Sequence, residues 1–333
     1  MAMLITGGAG FIGSNFVRHR VASHPDERVV VYDALTYAGN RASLADLEER
    51  ISFVHGDICD QERVEQVLAE HGIELVVNFA AESHNSLAVV DPGRFFRTNV
   101  LGTQALLEAS RRAGLARFHH VSTCEVYGDL ALDSSERFTE ESPYRPRTPY
   151  NASKAAADHA VRAYAETFGL AVTITNCCNN YGPYQFPEKL IPLFVTNAID
   201  GSPLPLYAST LNRREWLHVD DHCRAIDAVL ERGEVGETYH VGSGREASIE
   251  EVADHILAAL GRPSSLKTIV PDRPGHDRRY LLDSSKIRTQ LGWEPLTSFD
   301  RGMADTVAWY EANRAWWEPL RDRAPVEETA WAR

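Results

Sequence analysis

The chain has 333 residues, with 34 basic and 47 acidic side chains and a formal net charge of −13 at pH 7. Its 44% content of hydrophobic residues excludes intrinsic disorder as the main state, and the length predicts about two domains. The negative charge argues against general nucleic-acid binding, because a phosphate backbone requires a basic surface. No apolar run reaches the ~20 residues that a membrane span requires. We therefore expect a globular, cytoplasmic protein whose partners include neither nucleic acid nor membrane.

The five cysteines form no recognisable disulfide framework. Their number is odd, Cys177 and Cys178 are adjacent, and the CxxC spacing of many zinc sites does not occur. His119 and His120 also lack ligand spacing, so we predict no metal. Most of the cysteines are expected to be reduced and buried.

The first half of the chain alternates short β-branched runs with amphipathic stretches. This pattern predicts a Rossmann-type α/β fold, in which a doubly wound parallel sheet has helices on both faces. The predicted strands are 3–6, 29–33, 51–57, 75–81, 117–123 and 171–178. Apolar residues at three- and four-residue spacing between them indicate helices. Residues 1–180 are therefore predicted to form a nucleotide-binding domain.

The second half has looser spacing and more prolines, which predicts a smaller C-terminal α/β domain over 181–320 and a tail at 321–333. The predicted helices of this half are 188–200, 219–232, 248–261 and 299–317. A short strand at 238–242 is a candidate for return to the first sheet. We expect a cleft between the two domains, with the substrate held by the second.

A glycine-rich turn follows the first predicted strand, in residues 3–13, MLITGGAGFIG. Glycines there would let backbone N–H groups approach a pyrophosphate at a helix N-terminus. Asp33 ends the next strand, where its carboxylate can accept hydrogen bonds from adenosine ribose hydroxyls, and this favours NAD over NADP. The predicted cofactor-binding residues are Gly7, Gly10, Phe11, Ile12, Gly13, Asp33, Asp57, Ile58, Ala80, Ala81, Tyr150 and Lys154.

Tyr150 and Lys154 are four residues apart and hence share one face of a predicted helix. They follow a strand that ends in Ser122 and Thr123. In such a site a lysine ammonium favours the tyrosinate, which can take a proton from a substrate alcohol as hydride leaves to NAD. With these residues, the sequence resembles the extended short-chain dehydrogenase/reductase superfamily from Met1 to about Trp317.

Four longer motifs are similar to those of the dTDP-glucose 4,6-dehydratases. They are AAESH at 80–84, STCEVYG at 122–128, TNCCNNYGPYQFPEKLIP at 175–192 and RPGHDRRY at 273–280. In that family NAD oxidises the sugar at C4, a glutamate removes the C5 proton, water leaves from C6, and hydride returns to C6. The resemblance implies a nucleotide-sugar substrate, an NAD cofactor and a homodimer that pairs helices near 92–113 and 149–168.

The resemblance also implies roles for individual residues. Tyr150 would be the base for C4 oxidation, with Lys154 as its electrostatic partner. Thr123 would donate a hydrogen bond to the sugar, and Glu125 would remove the C5 proton. The implied substrate-binding residues are Ser83 and His84; Asn179 at the sugar or phosphates; Lys189, Leu190, Pro205 and Tyr207 at the nucleotide base; and Arg214, Arg273 and His276 at the diphosphate and ribose. Guanidinium groups suit phosphate oxygens, so a local basic pocket is expected in an acidic chain.

The chain departs from the family's pattern at three places in one pocket. Cys124 stands where the family has an aspartic acid that protonates the departing C6 hydroxyl. A thiol is a weaker acid, since its reference pKa is about 8.5 against about 4 for a carboxylic acid. Residues 85–88, Asn-Ser-Leu-Ala, replace the usual Val-Asp-Arg-Ser, and Ala208-Ser209 replace a glycine and a charged residue. Cys124 is our candidate for a substitute catalytic acid, and the alternative is that it only fills space at a strand end.

Four functions stay open at this point. The first is 4,6-dehydration of a nucleotide hexose to a 4-keto-6-deoxy sugar. The second returns hydride to C4 and releases a 5,6-unsaturated sugar nucleotide, since the Cys-Glu pair resembles that of the tunicamycin-pathway dehydratases. The third is decarboxylation of a nucleotide uronate, because those enzymes are similar in having Thr-x-Glu-x-Tyr without the aspartate, although FPEKLIP and RPGHDRRY favour a dehydratase. The fourth is an inactive NAD-binding sensor, against which the four retained catalytic residues argue.

Overall fold

A computed structural model describes residues 1–323 as strands and helices that alternate through the first half of the chain. The strands are β1 (Ala2–Thr6), β2 (Arg28–Asp33), β3 (Ile51–His55), β4 (Leu75–Asn78), β5 (Arg117–Thr123), β6 (Val172–Cys177), β7 (Asn179–Tyr181), β8 (Leu204–Tyr207), β9 (Arg213–His218), β10 (Thr238–Val241), β11 (Glu246–Ser248) and β12 (Lys267–Val270). The α-helices are α1 (Phe11–Ser23), α2 (Gln61–Glu70), α3 (Asn85–Val90), α4 (Pro92–Phe95), α5 (Thr103–Ala113), α6 (Pro149–Phe168), α7 (Leu190–Asp200), α8 (Val219–Arg232), α9 (Ile249–Ala259), α10 (Ser285–Leu291), α11 (Phe299–Ala312) and α12 (Arg314–Trp317). Short 3₁₀ segments span Arg41–Leu47, Cys124–Tyr127, Ser264–Leu266 and Glu318–Arg323, and a π-helical segment, Phe96–Gly102, joins α4 to α5.

Seven parallel strands form the main sheet, in the order β10-β6-β5-β4-β1-β2-β3. The chain builds outward from β1 through β2 to β3, and then restarts on the other side with β4. The order therefore reverses between β1 and β4, and a crevice opens beyond the carboxyl ends of these two strands. The predicted Rossmann-type α/β fold is confirmed.

Both faces of this sheet are covered by helices, which explains the nearly continuous apolar runs of its strands. Consecutive residues of β1 point to opposite faces. Leu4 packs in one apolar cluster with Leu106 of α5, whereas Ile5 packs in another with Phe16 of α1. All four side chains are fully buried.

Three predicted elements are longer than the observed ones. The strands predicted at 51–57 and 75–81 end at His55 and Asn78, because the residues that follow leave the sheet and line the cleft described below. The helix predicted at 299–317 is interrupted at Asn313, whose backbone angles of −115° and 38° are not helical. α11 therefore ends before this residue and α12 begins after it.

The second half of the chain contributes to two regions. A separate apolar cluster joins α7, α9 and α11 to the strands β8 and β9. β10, in contrast, pairs in parallel with β6 of the main sheet, and α8 packs on α1 through apolar residues such as Ile226. The predicted tail at 321–333 lies largely outside the described residues. Within the described part of the chain, no helix combines the length and the apolarity that crossing a membrane requires.

Candidate active site

A cleft of about 370 Å³ lies beyond the carboxyl ends of the central strands. It is lined by the segments that follow β1, β2, β3, β4, β5 and β6, and by two side chains of α6. Every residue that the sequence assigned to the cofactor lies in this lining: Gly7, Gly10, Phe11, Ile12, Gly13, Asp33, Asp57, Ile58, Ala80, Ala81, Tyr150 and Lys154. The catalytic candidates Thr123 and Glu125 line it too.

The glycine-rich turn leaves no space for side chains on its two outer glycines. Gly7 has a φ of 66°, and a Cβ there would lie 2.6 Å from the backbone nitrogen of Ala80. A Cβ on Gly13 would lie 2.9 Å from the Cα of Gly8 and would overlap the carbonyl oxygen of Gly7. Gly10 precedes α1 and provides no side-chain cap, so the first backbone N–H groups of this helix remain available to an anion in the cleft.

Asp33 is held rigidly at the end of β2. Its two carboxylate oxygens accept hydrogen bonds from the backbone nitrogens of Ala9 (2.9 Å) and Leu35 (2.8 Å). Burial raises the pKa of this carboxyl, and the two hydrogen bonds oppose that rise. Each oxygen keeps a further lone pair, so the residue fits the acceptor that a ribose diol needs. The glycine turn and Asp33 together suit a dinucleotide.

The helix α6 carries Tyr150 and Lys154 one turn apart at the wall of the cleft. Nζ of Lys154 donates a hydrogen bond to the carbonyl oxygen of Val121 at 2.8 Å, which holds the ammonium against β5. Burial raises the pKa of Tyr150 well above its usual value, the charge of Glu125 raises it further, and a hydrogen bond with Thr123 lowers it in part. In the chain alone Tyr150 thus keeps its proton, and additional positive charge in the cleft would be needed to favour the tyrosinate.

Glu125 lies in the 3₁₀ turn that follows β5. The Thr123 hydroxyl accepts a hydrogen bond from the backbone nitrogen of Glu125 (3.2 Å) and thereby fixes the turn. Nδ2 of Asn85, the first residue of α3, donates to Oε2 of Glu125 at 3.5 Å. Leu87, in the same departing segment, is buried in a small cluster with Tyr150. The residues that replace the family's charged loop therefore contact both the predicted C5 base and the predicted C4 base.

Cys124 does not share this orientation. Neighbouring residues at a strand end point to opposite sides, and Thr123 and Glu125 line the cleft while Cys124 is fully buried. It packs in an apolar cluster with Val126 and Tyr280. Burial raises the pKa of its thiol well above the usual value, and Glu125 raises it further. This placement favours the packing interpretation of Cys124 over the predicted role of catalytic acid.

Three of the predicted substrate residues, Ser83, Asn179 and Lys189, line the cleft. Nζ of Lys189 donates to the carbonyl oxygen of Ser83 at 2.7 Å and so joins the two halves of the chain. His84 accepts from a backbone nitrogen through Nδ1, and its Nε2 lies 3.2 Å from Glu188. Burial lowers the pKa of His84 to about 3, so its ring is neutral, with the ring proton on the Nε2 that faces Glu188.

The remaining predicted substrate residues lie outside the cleft lining, at the start of α7, in β8 and β9, and in the 272–280 segment. They are Leu190, Pro205, Tyr207, Arg214, Arg273 and His276. The rings of Tyr207 and His276 are in contact, with centroids 4.9 Å apart. Burial lowers the pKa of His276 to about 3, and the charges of Arg214 and Arg273 lower it further. Arg214 and Arg273 thus form a basic group around a neutral His276, and guanidinium groups suit phosphate oxygens.

Tyr280 connects this basic group to the cleft, and no role was predicted for it. Its hydroxyl donates to Oδ1 of Asn179 at 2.5 Å, while Arg214 lies 4.7 Å above its ring. The only sequence signal for this residue was its position at the end of RPGHDRRY.

Tyr37 and Glu188 also line the cleft without having been predicted. Burial raises the pKa of Glu188 to about 7.

A further cluster of titratable groups lies between α1 and α8. His24, Asp227 and Glu231 converge there with spacing that could hold a metal ion. Arg20 forms an ion pair with Asp227, and its guanidinium lies 2.8 Å from Nε2 of His24. The guanidinium of Arg20 thus already balances the carboxylate charge of Asp227.

Comparison with known proteins gives a consistent result over almost the whole chain. Residues 4–306 match the family profile described as GDP-mannose 4,6 dehydratase. A dTDP-glucose 4,6-dehydratase of Streptomyces niveus is 50% identical over 335 residues, which cover 99% of this chain and 98% of the relative.

Solved structures show the same similarity. The dTDP-glucose 4,6-dehydratase of Streptomyces venezuelae with NAD bound has a TM-score of 0.93 and 52% identity, covering 96% of this chain and 100% of that chain. The dTDP-glucose 4,6-dehydratase of Bacillus anthracis in complex with NAD has a TM-score of 0.90 and 46% identity, covering 96% and 99%.

Proposed function

Because the chain belongs to the GDP-mannose 4,6-dehydratase family and is an NAD-dependent nucleotide-sugar 4,6-dehydratase, we propose that it acts on dTDP-glucose or a closely similar nucleotide hexose. The proposed product is the 4-keto-6-deoxy sugar nucleotide. The observation that carries this proposal is the convergence of Thr123, Glu125, Tyr150 and Lys154 on a cleft that the glycine-rich turn also lines.

NAD is held, in this proposal, by the turn between Gly7 and Gly13 and by Asp33. A Cβ at Gly7 would meet the backbone of Ala80, and one at Gly13 the backbone of Gly7 and Gly8, so a side chain at either position would displace the turn that presents the N-terminus of α1 to a pyrophosphate. When bound, the nicotinamide accepts hydride from the sugar and later returns it. Tyr150 takes the proton of the C4 hydroxyl, and the ammonium of Lys154 stabilises the negative charge that develops on the tyrosine oxygen.

Glu125 removes the C5 proton, which the new C4 ketone has made acidic. The amide of Asn85 donates to Oε2 of Glu125 and so orients this carboxyl group. The C6 hydroxyl then leaves and takes up a proton to become water. Formation of the 4-keto-6-deoxy product also requires a proton at C5, so this route needs two protons at C5 and C6: Glu125 supplies one, the second comes from solvent or another acid, and Tyr150 releases the C4 proton to solvent.

Proton counting supports a second candidate product. If Cys124 does not act as an acid, Glu125 can pass the proton taken from C5 to the departing hydroxyl. Return of hydride to C4, with return of the proton from Tyr150 to the C4 oxygen, then closes the cycle and leaves a 5,6-unsaturated sugar. The burial of Cys124 in an apolar cluster is the observation that favours this alternative.

One NMR experiment distinguishes these functions. The purified protein is incubated with dTDP-glucose, and separately with other nucleotide hexoses and a nucleotide uronate. A C6 methyl doublet supports the 4-keto-6-deoxy product, and vinyl protons support the unsaturated sugar. A pentose product would instead identify a decarboxylase. Binding of NAD without any reaction would reject the proposed enzyme in favour of a sensor.

We also propose a homodimer formed through the segments at 92–113 and 149–168. Phe96, Leu101 and Phe168 support it, since these apolar side chains are 42%, 61% and 52% exposed on those segments. Leu101→Glu should shift the mass measured by light scattering toward one chain, and a monomeric wild type would reject the proposal.

A cytosolic location is proposed as well, since all five cysteines are free thiols and thiols persist in reducing compartments.

A further inference from the structure

A fully buried carboxylate lies beneath the predicted catalytic lysine. Tyr150, Lys154 and Asp158 follow one another at four-residue intervals on α6 and so share one face of this helix. The side chain of Asp158 is 0% exposed, and that of Lys154 is also buried. Burying an isolated charge is very costly, so a carboxylate in this position needs a partner of opposite charge or several hydrogen bonds.

Asp158 has partners on three other segments. Oδ2 accepts hydrogen bonds from the hydroxyl of Tyr144 (2.8 Å) and from Nδ2 of Asn176 on β6 (3.2 Å). Oδ1 lies 3.5 Å from Nε2 of His120 on β5. The same ring nitrogen lies 3.4 Å from Nζ of Lys154. Asp158 and Lys154 therefore both lie next to the same ring nitrogen of His120.

The hydrogen bonds of His120 determine which of its nitrogens carries the proton. Oδ1 of Asn78 accepts from the hydroxyl of Thr6 (2.6 Å), so the amide N–H group of Asn78 faces Nδ1 of His120 at 3.2 Å. Nδ1 is thus the acceptor, and the proton of the neutral ring is on Nε2. Burial and the charge of Lys154 lower the pKa of His120 well below its usual value, which agrees with a neutral ring. This nitrogen faces both Asp158 and Lys154.

Few other charges are close to this pair. Arg162 donates to the hydroxyl of Tyr144 at 2.8 Å, and its charge also interacts directly with Asp158 and lowers the pKa of His120. Cys177 on β6 is a neutral thiol, since burial raises its pKa to about 12. Burial raises the pKa of Tyr127 and of Tyr144 above the usual value, so both phenols are neutral as well. The charge of Glu125 acts on Tyr150, whose pKa it raises. Burial lowers the pKa of Lys154, and the negative charge of Asp158 opposes this lowering.

We propose that Asp158 is a positioning residue for the proton transfer at C4: its negative charge, next to the same His120 ring as Lys154, keeps the Lys154 ammonium charged and fixed beside Tyr150. Asn176 extends this support to the catalytic strand end, because its Nδ2 also donates to the carbonyl oxygen of Thr123 (3.1 Å). The inference rests on the proposed function for its kinetic consequence. The charge state of Lys154 itself can be measured without activity.

The kinetic test is the pH profile of kcat for Asp158→Asn. Removing the carboxylate charge lowers the pKa of Lys154, so the ammonium is lost at lower pH, and the descending limb of the profile moves to lower pH by about one unit or more. A loss of rate with an unchanged limb would indicate a merely structural role and overturn the proposal. Tyr144→Phe is the matched control, since it removes one hydrogen bond to Asp158 and leaves the charge. Its descending limb should remain that of the wild type.

The second test reads Lys154 directly. The chain has four lysines, so labelling with [ε-¹³C]lysine yields four resonances, and the one lost in Lys154→Met is that of Lys154. We expect this resonance to titrate at lower pH in Asp158→Asn than in the wild type. A wild-type Lys154 that is already neutral at pH 7.5 would overturn the proposal even if Asp158→Asn does not fold. If the expected titration is seen in a protein that dehydrates no sugar, only the proposed function fails.

Discussion

Gly13→Ala tests whether the glycine-rich turn is built for a close approach of α1. Gly13 lies in the first turn of this helix, and its φ is not positive, so alanine introduces no backbone strain. Alanine would in fact favour the helix by about 1 kcal/mol. The new Cβ, however, would lie 2.9 Å from the Cα of Gly8 and still closer to the carbonyl oxygen of Gly7. Backbone atoms cannot rotate away, so α1 must shift outward by at least about 0.5 Å to regain normal contact.

The magnitudes decide which measurement is informative. Overpacking of this kind costs about 1–3 kcal/mol, and the helix preference of alanine returns about 1 kcal/mol, so the net change in the free energy of unfolding is small. The shift of the helix N-terminus away from the pyrophosphate is not compensated. We therefore expect the Kd for NAD to rise about tenfold or more while the melting temperature changes little.

The assay is NAD content after purification, followed by calorimetric titration with NAD. Gly93→Ala is the matched control, because Gly93 lies in α4 and a Cβ there would meet only Oδ1 of Asp91, at 4.0 Å. Its NAD affinity should equal that of the wild type. An unchanged Kd in Gly13→Ala would show that the turn tolerates a side chain and would refute the reasoning.

Three further outcomes are expected. Glu125→Gln should abolish exchange of the C5 proton with solvent deuterium while NAD still binds, and unchanged exchange would remove Glu125 from the role of C5 base. Cys124→Ala should keep kcat within a few-fold and reduce stability by about 1 kcal/mol, since a small buried side chain is shortened, whereas a hundredfold loss of kcat would restore the thiol as the acid. Burial raises the pKa of Glu215 to about 7, so the folded state retains a proton that the unfolded state loses, and stability falls as pH rises from about 4.5 to 7. In Glu215→Gln this fall, measured by urea unfolding at several pH values, should be smaller by roughly 2–3 kcal/mol, and an equal fall would contradict that pKa.

Local patterns in the sequence were sufficient to predict the fold class and the glycine-rich turn and Asp33 that line part of the cleft. Alternating apolar runs predict a parallel sheet because both of its faces are covered. Gly7, Gly13 and Asp33 could be placed because a strand, a turn and a helix N-terminus are contiguous in the chain. Tyr150 and Lys154 could be placed together because four residues make about one helical turn. Each of these inferences spans few residues.

The tertiary structure decided what depends on contacts between distant segments. It places Cys124 in the core, joins Asn179 to Arg214 through Tyr280, and brings Asp158 beneath Lys154 through His120. Residue spacing predicts which face of an element a side chain occupies, but the partners of that face come from other strands and helices. Those partners determine whether a buried thiol, phenol or carboxylate can ionise, and hence which groups in this cleft can move a proton.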